Sequence, residues 1–389
     1  MLDQKFLAGT PEEVGLDAEK VGALLARAER DVADGLLPAT QVAIARDGKV
    51  GAMRTFGSAR DDTCFVAMSA TKALTSAASW ILLQEGKLRL SDRVVDFIPE
   101  YGTNGKETTT VEHLLTHTSG IPFAPHWQKE WADPAKRSER FSRWRAEHPP
   151  GEKFRYHLSA NFWPIAAMIE KISGQTLRDF VHTRIAEPLG IPGLRLGLPL
   201  EGGDGNVADL AWVGEPLTPE DYEKMGIKGN PVIAAIDEKG VLELNKAEAR
   251  DAGAPSAGLI TTAADLALFY QALLTGRAPD GTEIWRPEML EDAKTIRNED
   301  LRDPVLGHRA NRALGIVVAG DDGKANMRGF GRTNSAAAFG HPGFGGQCGW
   351  ADPETGISFA FLTSGFDRNE IRMGRRQVAL SSLAASCAA

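Results

Sequence analysis

Ser69 and Lys72 stand three residues apart at the head of an apolar run, in the stretch Ser69-Ala70-Thr71-Lys72. On a helix that spacing puts both side chains on one face, one turn apart. A serine hydroxyl attacks a carbonyl carbon only when a neighbouring base takes its proton. A lysine amine kept neutral by burial or by a nearby cation is such a base. About one such pairing is expected by chance in a chain of this length, so the pair alone is a weak signal. Two later segments strengthen it. Tyr156 follows a breaker-rich loop containing Pro149, Pro150 and Gly151 and precedes an apolar run. From there a phenol can reach a cleft and relay the serine proton, although loop tyrosines more often pack than react. The stretch Gly340-His341-Pro342-Gly343-Phe344-Gly345-Gly346 crowds glycines at a strand end. Glycine lets a substrate approach backbone N–H groups, which can stabilise an oxyanion. No Gly-Lys-Ser/Thr follows, which argues against a phosphate loop.

The elements that must hold these residues follow from periodicity. Val21, Leu24, Leu25, Ala28 and Val32 predict a helix over 17–33, capped by Asp17. Strands over 41–45 and 50–55 flank Asp47-Gly48, a hairpin signal. Residues 69–85 are apolar nearly all round, which predicts a central buried helix with Ser69 in its first turn. Further helices are predicted over 109–117 (Thr109 and Glu112 as a capping box), 161–172, 176–185, 262–274 and about 369–385. Strands are predicted over 336–339, 346–350 and 357–362. The segment 201–245, rich in glycine, proline and charge, fits either a substrate-shaping lid or a surface excursion. This order predicts an α+β fold: an antiparallel sheet flanked by helices, with an inserted, mostly helical lobe. The expected division is a sheet-containing domain of residues 1–95 plus 250–389 and a lobe of 96–249, with a cleft between them.

The 389 residues carry a formal net charge of -8, which gives no electrostatic footprint for nucleic acid or an anionic membrane surface. No apolar run is long enough to span a bilayer, and Met1-Leu2-Asp3-Gln4-Lys5-Phe6 lacks the basic start of a secretory leader, so a cytoplasmic location is expected. Three cysteines, Cys64, Cys348 and Cys387, at unrelated spacings suggest neither a disulfide framework nor a zinc knuckle. Cys64 reads as a small core residue rather than a nucleophile. His113 and His117 share a helix face but have no third ligand, so no metal is expected. His157 reads as a packing or solvent-facing residue. His308 and Arg309 are candidates for lining the cleft.

Taken in order, these segments resemble the serine β-lactamase and penicillin-binding-protein superfamily, and within it class C β-lactamases and family VIII carboxylesterases. Ser69-Ala70-Thr71-Lys72 matches the S-x-x-K motif. Leu114-Leu115-Thr116-His117-Thr118-Ser119-Gly120 resembles the L-L-x-H-T-S-G landmark. Tyr156 matches the tyrosine of Y-x-N, and His341-Pro342-Gly343 sits at the K-T-G position. Residues 169–174, 188–190 and 257–266 match the family's later landmarks, so the likeness runs from about Val14 to Gly365. The resemblance implies a β-lactamase/transpeptidase-like fold with Ser69 as the acylated nucleophile and Lys72 and Tyr156 as its base and acid. It implies an oxyanion hole of the Ser69 and Phe344 backbone N–H groups, and no cofactor. His341, Gly343 and Asn161 are the substrate-contact candidates.

Two departures bear on substrate. Leu158 replaces the asparagine of Y-x-N, leaving Asn161 or Ser159 to substitute. His341-Pro342 replaces Lys-Thr, and proline offers neither hydroxyl nor N–H, while histidine is only fractionally charged near neutral pH. Losing one charged hydrogen bond typically costs roughly 1.5–3 kcal/mol. The expectation is therefore a serine hydrolase, a carboxylesterase on small neutral esters. β-Lactamase, D-aminopeptidase or amidase, and acyltransferase activity are the alternatives on the same scaffold, and a non-catalytic binding protein is the remote one. G-x-S-x-G is absent, so an α/β-hydrolase is a poor rival.

Overall fold

A six-stranded antiparallel sheet is built from both ends of the chain. The computed structural model describes residues 3–127, 130–198, 206–226, 236–298 and 300–389. The strands are β1 (Ala39–Arg46), β2 (Lys49–Gly57), β3 (Val317–Val318), β4 (Phe339–Pro342), β5 (Cys348–Asp352) and β6 (Ile357–Thr363), in the order β2-β1-β6-β5-β4-β3. Asp47 and Gly48 both adopt positive φ, 53° and 74°, the backbone a tight two-residue hairpin needs between β1 and β2.

Strand periodicity divides the core into two faces. Val42, Ile44, Trp350, Phe359 and Phe361 meet α1 (Ala18–Ala33) and the C-terminal helix on one side. On the other side Ala43, Ala45, Ala360 and Leu362 meet the core built around α2 (Thr71–Gln84), α3 (Val111–Leu115), α4 (Phe162–Ser173) and α5 (Ala263–Thr275). The small alanines let α5 lie close against β1, β5 and β6. Asn369 caps α6 (Glu370–Ala385), which packs on α1. Arg376 of α6 ties the two helices to the sheet side through Asp31 and Asp367, the three forming a buried ion-pair network.

Several element limits differ from the sequence expectation, each for a local reason. The central helix begins at Thr71, because residues 68–70 form a tighter 3-10 turn; Ser69 sits in that turn rather than in the α-helix. The cap of α3 is Thr110, not Thr109, and its reciprocal partner is His113, whose Nδ1 accepts the Thr110 amide. The strand expected over 336–339 runs instead over Phe339–Pro342. Ser335 is drawn into a turn by Asp352, and Gly340 allows β4 to pass against the backbone of β5. In the segment 201–245, residues 201–205 and 227–235 lie outside the described residues. Of the rest, Ala211–Val213 pairs in parallel with Gly365–Asp367, and Pro219–Met225 and Glu238–Leu242 are helical.

Candidate active site

Ser69 is presented by a strained turn. Met68 before it has φ 49°, a left-handed conformation costly for a bulky side chain. Segment 255–259 fastens the turn to α2. Leu259 O accepts the Ala67 amide at 2.9 Å, the Leu259 amide donates to Thr71 Oγ1 at 3.0 Å, and Thr75 Oγ1 donates to Pro255 O at 2.7 Å. Lys72, on the first turn of α2, is fully buried. Its Nζ donates to Ser69 Oγ at 2.9 Å and to Ser256 O at 3.3 Å.

Tyr156 completes the group. Its ring centroid is 5.3 Å from Lys72 Nζ, and its hydroxyl interacts with both Ser69 and Lys72. Burial pulls the Lys72 amine below its ordinary value, against the opposing pull of Tyr156. Burial pushes Tyr156 up, but the Lys72 and Arg312 cations more than reverse this, leaving it below the ordinary phenol value. Both shifts favour loss of a proton from the pair.

The L-L-x-H-T-S-G landmark supplies the platform beneath Tyr156. His117, fully buried with φ 59°, stacks on the Tyr156 ring at 4.9 Å and 29°. Its Nδ1 accepts the His157 amide at 3.1 Å. His157 is buried rather than solvent-facing: Nδ1–H donates to Arg155 O at 2.6 Å and Nε2 accepts the Ile121 amide at 3.1 Å. Burial draws His157 down to about 3 and His117 well below the histidine norm, so both are neutral. His117 Nε2 is buried without a hydrogen-bond partner. Among the described residues no cluster of metal ligands is present.

The glycine-rich strand end lies against the Ser69 turn. A Cβ on Gly343 would sit 2.7 Å from Ala67 O and 3.3 Å from Ala70 N, so β4 and the turn are in backbone contact. Tyr270 of α5 fixes β4 from behind, its hydroxyl accepting the His341 amide at 3.1 Å. The two short helical turns at Met68–Ala70 and Phe344–Gly346 pack together. This sets the Ser69 turn and the Phe344 turn side by side. Gly345, at φ 83°, has no room for a Cβ against the Phe366 ring. Phe344 meets Phe366 edge-on at 5.3 Å and Trp212 at a tilt at 5.8 Å, so the 211–213 strand packs against the Phe344 turn.

The substrate-contact candidates fare differently. Gly343 lies against the Ser69 turn. Asn161 is fully buried, Oδ1 accepting from Ser119 Oγ and Nδ2 donating to Leu114 O at 2.7 Å. Both ends of its carboxamide hold the landmark loop, which corrects its assignment as a substrate contact. Ser159, the other substitute, is buried and accepts from Ser256 Oγ at 2.7 Å. His341 is 1% exposed; burial and the Arg312 and Lys72 cations hold it neutral. His308 is buried and turned to Arg309 O, which in turn accepts from Arg328. Cys64 is buried, and burial raises its thiol pKa.

Arg312 is the residue that sequence reasoning missed. Its guanidinium carbon lies 5.2 Å from the Tyr156 ring and 5.6 Å from Phe154, and Nη1 is 3.4 Å from His341 Nε2. It stands 29 residues before His341 (341 − 312) in a segment without regular structure, so no local pattern marks it.

The Beta-lactamase family model matches residues 25–384. The chain is 28% identical over 322 residues to the esterase/beta-lactamase LipL of Mycobacterium tuberculosis, covering 77% of this chain and 69% of that protein. It is similar to a penicillin-binding-protein homologue from Caulobacter crescentus, at TM-score 0.77 and 26% identity, covering 95% of this chain and 99% of the other. A family VIII carboxylesterase shares the fold at TM-score 0.74 and 22% identity, covering 95% and 99% of the two chains. Among the described residues no helix is long and apolar enough to cross a membrane.

Proposed function

We propose, from the premise that the chain belongs to the beta-lactamase family, that it is a carboxylesterase acting on small neutral esters through an acyl-enzyme on Ser69. The coarse class, a hydrolase of the serine beta-lactamase fold with esterase relatives, follows from the family; the substrate class and residue roles are our reading. The observation that carries it is the contact of Lys72 Nζ with Ser69 Oγ at 2.9 Å beside the Tyr156 phenol.

In this reading Ser69 Oγ attacks the ester carbonyl carbon while its proton passes to Tyr156, with Lys72 holding the charge alongside. The oxyanion forms against the Ser69 and Phe344 N–H groups. Tyr156 returns the proton to the departing alcohol oxygen as the C–O bond breaks. Water then attacks the acyl-enzyme, losing its proton to the same base, and Ser69 is released. The preference for neutral esters is supported by the neutral His341 and by Pro342, which offers no hydroxyl where the family's β-lactamases carry one.

The name of LipL also keeps β-lactam hydrolysis in view. The deciding experiment is turnover of chromogenic acetate and butyrate esters against a β-lactam and a D-amino-acid peptide. Ester turnover should dominate and vanish in Ser69→Ala. Ester hydrolysis that survives Ser69→Ala contradicts the nucleophile, and β-lactam turnover exceeding ester turnover contradicts the substrate class. A fluorophosphonate probe that leaves Ser69 unlabelled favours a non-catalytic scaffold.

A further inference from the structure

We propose that Arg312 and His341 act as one device: His341 orients the Arg312 guanidinium, and that guanidinium is the fixed positive charge that readies Tyr156 to take the Ser69 proton. This rests on the acyl-enzyme reading above and adds a positioning pair to it.

The hydrogen bonds fix the tautomer of His341. Nδ1 is 2.7 Å from Pro342 O, a carbonyl that only accepts, so Nδ1 carries the hydrogen. Nε2 is then a lone pair, and it accepts from Arg312 Nη1 at 3.4 Å. His341 is thereby a support for a cation rather than a cation itself. The Arg312 main chain is anchored as well, its amide donating to Asn298 Oδ1 at 2.8 Å and its carbonyl accepting from the Arg297 amide at 2.9 Å.

Among the described residues no Asp or Glu lies within ion-pair distance of Arg312, and its buried Nε has no hydrogen-bond partner. A guanidinium does not shed its proton to escape burial, so an unmatched one is costly and calls for an anion. Among the described residues, four titratable groups face the Tyr156 ring besides the Ser69 hydroxyl. Lys72 comes from α2, Arg312 from the segment before β3, His117 from the turn after α3, and His341 from β4. The two histidines are neutral, which leaves Lys72 and Arg312 as the charges, each centred just over 5 Å from the ring. Asp303 and Arg328 act on Arg312 only from farther off and with opposite signs. The phenolate of Tyr156 is the negative charge that answers both cations.

Arg312 therefore favours the state of the Tyr156–Lys72 pair that has lost one proton, whichever of the two gave it up. Its removal raises the pH at which that proton leaves. For unit charges just over 5 Å apart in a partly buried site the expected shift is about one to two pH units.

The test is the pH dependence of kcat and KM for wild type, Arg312→Gln, Arg312→Lys, His341→Gln and His341→Leu. Each is measured on a neutral chromogenic butyrate ester and on a half-ester bearing a free carboxylate. In Arg312→Gln the acidic limb of kcat/KM should move up by about one to two units, a loss of about 10- to 100-fold below the limb, with activity recovering toward wild type at alkaline pH. Arg312→Lys, which keeps a cation that burial can neutralise, should shift the limb less than Arg312→Gln. His341→Gln, which keeps an acceptor, should shift the limb less than His341→Leu. A uniform loss at every pH with an unmoved limb overturns the inference, as does a loss confined to KM for the carboxylate-bearing ester. If Arg312→Gln does not fold, the His341 pair decides by the same criterion. Mass detection of acylated Ser69 at alkaline pH separates the two levels. Without it in wild type the hydrolase reading fails; with it and an unmoved limb, only the Arg312 role fails.

Discussion

Replacing Gly343 by alanine probes the contact on which the proposed oxyanion site depends. The φ of Gly343 is -114°, an ordinary extended value, so alanine brings no backbone strain there. Its cost is steric: the new Cβ would stand 2.7 Å from Ala67 O and 2.7 Å from Gln347 Cβ, about 0.7 Å inside ordinary contact. Ala67 O belongs to the main chain of the Ser69 turn, and Gly343 is followed directly by Phe344, so relief must come from parting the two backbones. An amide moved by more than about half an ångström no longer holds a normal hydrogen bond to an oxyanion set by Ser69. Losing one such donor typically costs about 10²–10³ in kcat, about 2.7–4 kcal/mol. Overpacking adds a stability cost of about 1–3 kcal/mol. Gly374→Ala is the control: Gly374 lies inside α6 with open space around it, and alanine should stabilise by about 0.5–1 kcal/mol without touching kcat. The assay is steady-state hydrolysis of a butyrate ester, with urea midpoints measured alongside. A folded Gly343→Ala enzyme with kcat within about threefold of wild type would refute the reasoning.

Three further outcomes follow from the buried charges. Lys72→Met should abolish ester turnover yet leave the thermal midpoint unchanged or higher, because burial of the amine is itself unfavourable; a midpoint several degrees lower would contradict this. Tyr156→Phe should lower kcat by about 10²–10⁴ with an unchanged circular-dichroism spectrum, and a folded variant with normal kcat would remove Tyr156 from the mechanism. Asp31→Asn should cost about 3 kcal/mol in urea unfolding, since Arg376 would lose one of its two carboxylates. Burial pushes Asp31 and Asp367 up, but hydrogen bonds from Arg27, Arg372 and Arg376 outweigh it, leaving both below the usual carboxylate range. Their folded pKa values being depressed, the stability they supply is present above about pH 4 and is lost as pH falls through the folded values. Wild type should therefore lose more stability than Asp31→Asn on acidification across that window.

Much of this arrangement could be read before any coordinates. Helices with clean caps, such as those begun by Asp17 and Thr262, and the Asp47-Gly48 hairpin lie close to where periodicity put them. Local chemistry alone determines such features. Ser69, Lys72 and Tyr156 are marked by the types and settings of their neighbours, and the structure brings them together. What stayed hidden depends on contacts between distant segments. Asn161 sits where a substrate contact was expected, but a loop 42 residues earlier claims its carboxamide through Ser119. Arg312 comes from an irregular stretch and reaches the Tyr156 ring beside His341 of β4, which accepts its hydrogen bond. The parallel pairing of Ala211–Val213 with Gly365–Asp367, which puts Trp212 against Phe344, joins residues more than 150 apart in a segment whose composition suggested no regular structure.

The most direct measurement mixes the protein with a slowly deacylating ester, records its intact mass, and maps the modified peptide. A mass gain equal to one acyl group, located on Ser69 and absent from Ser69→Ala, is the expected result. Ester turnover by wild type with the acyl group on any other residue would contradict the account.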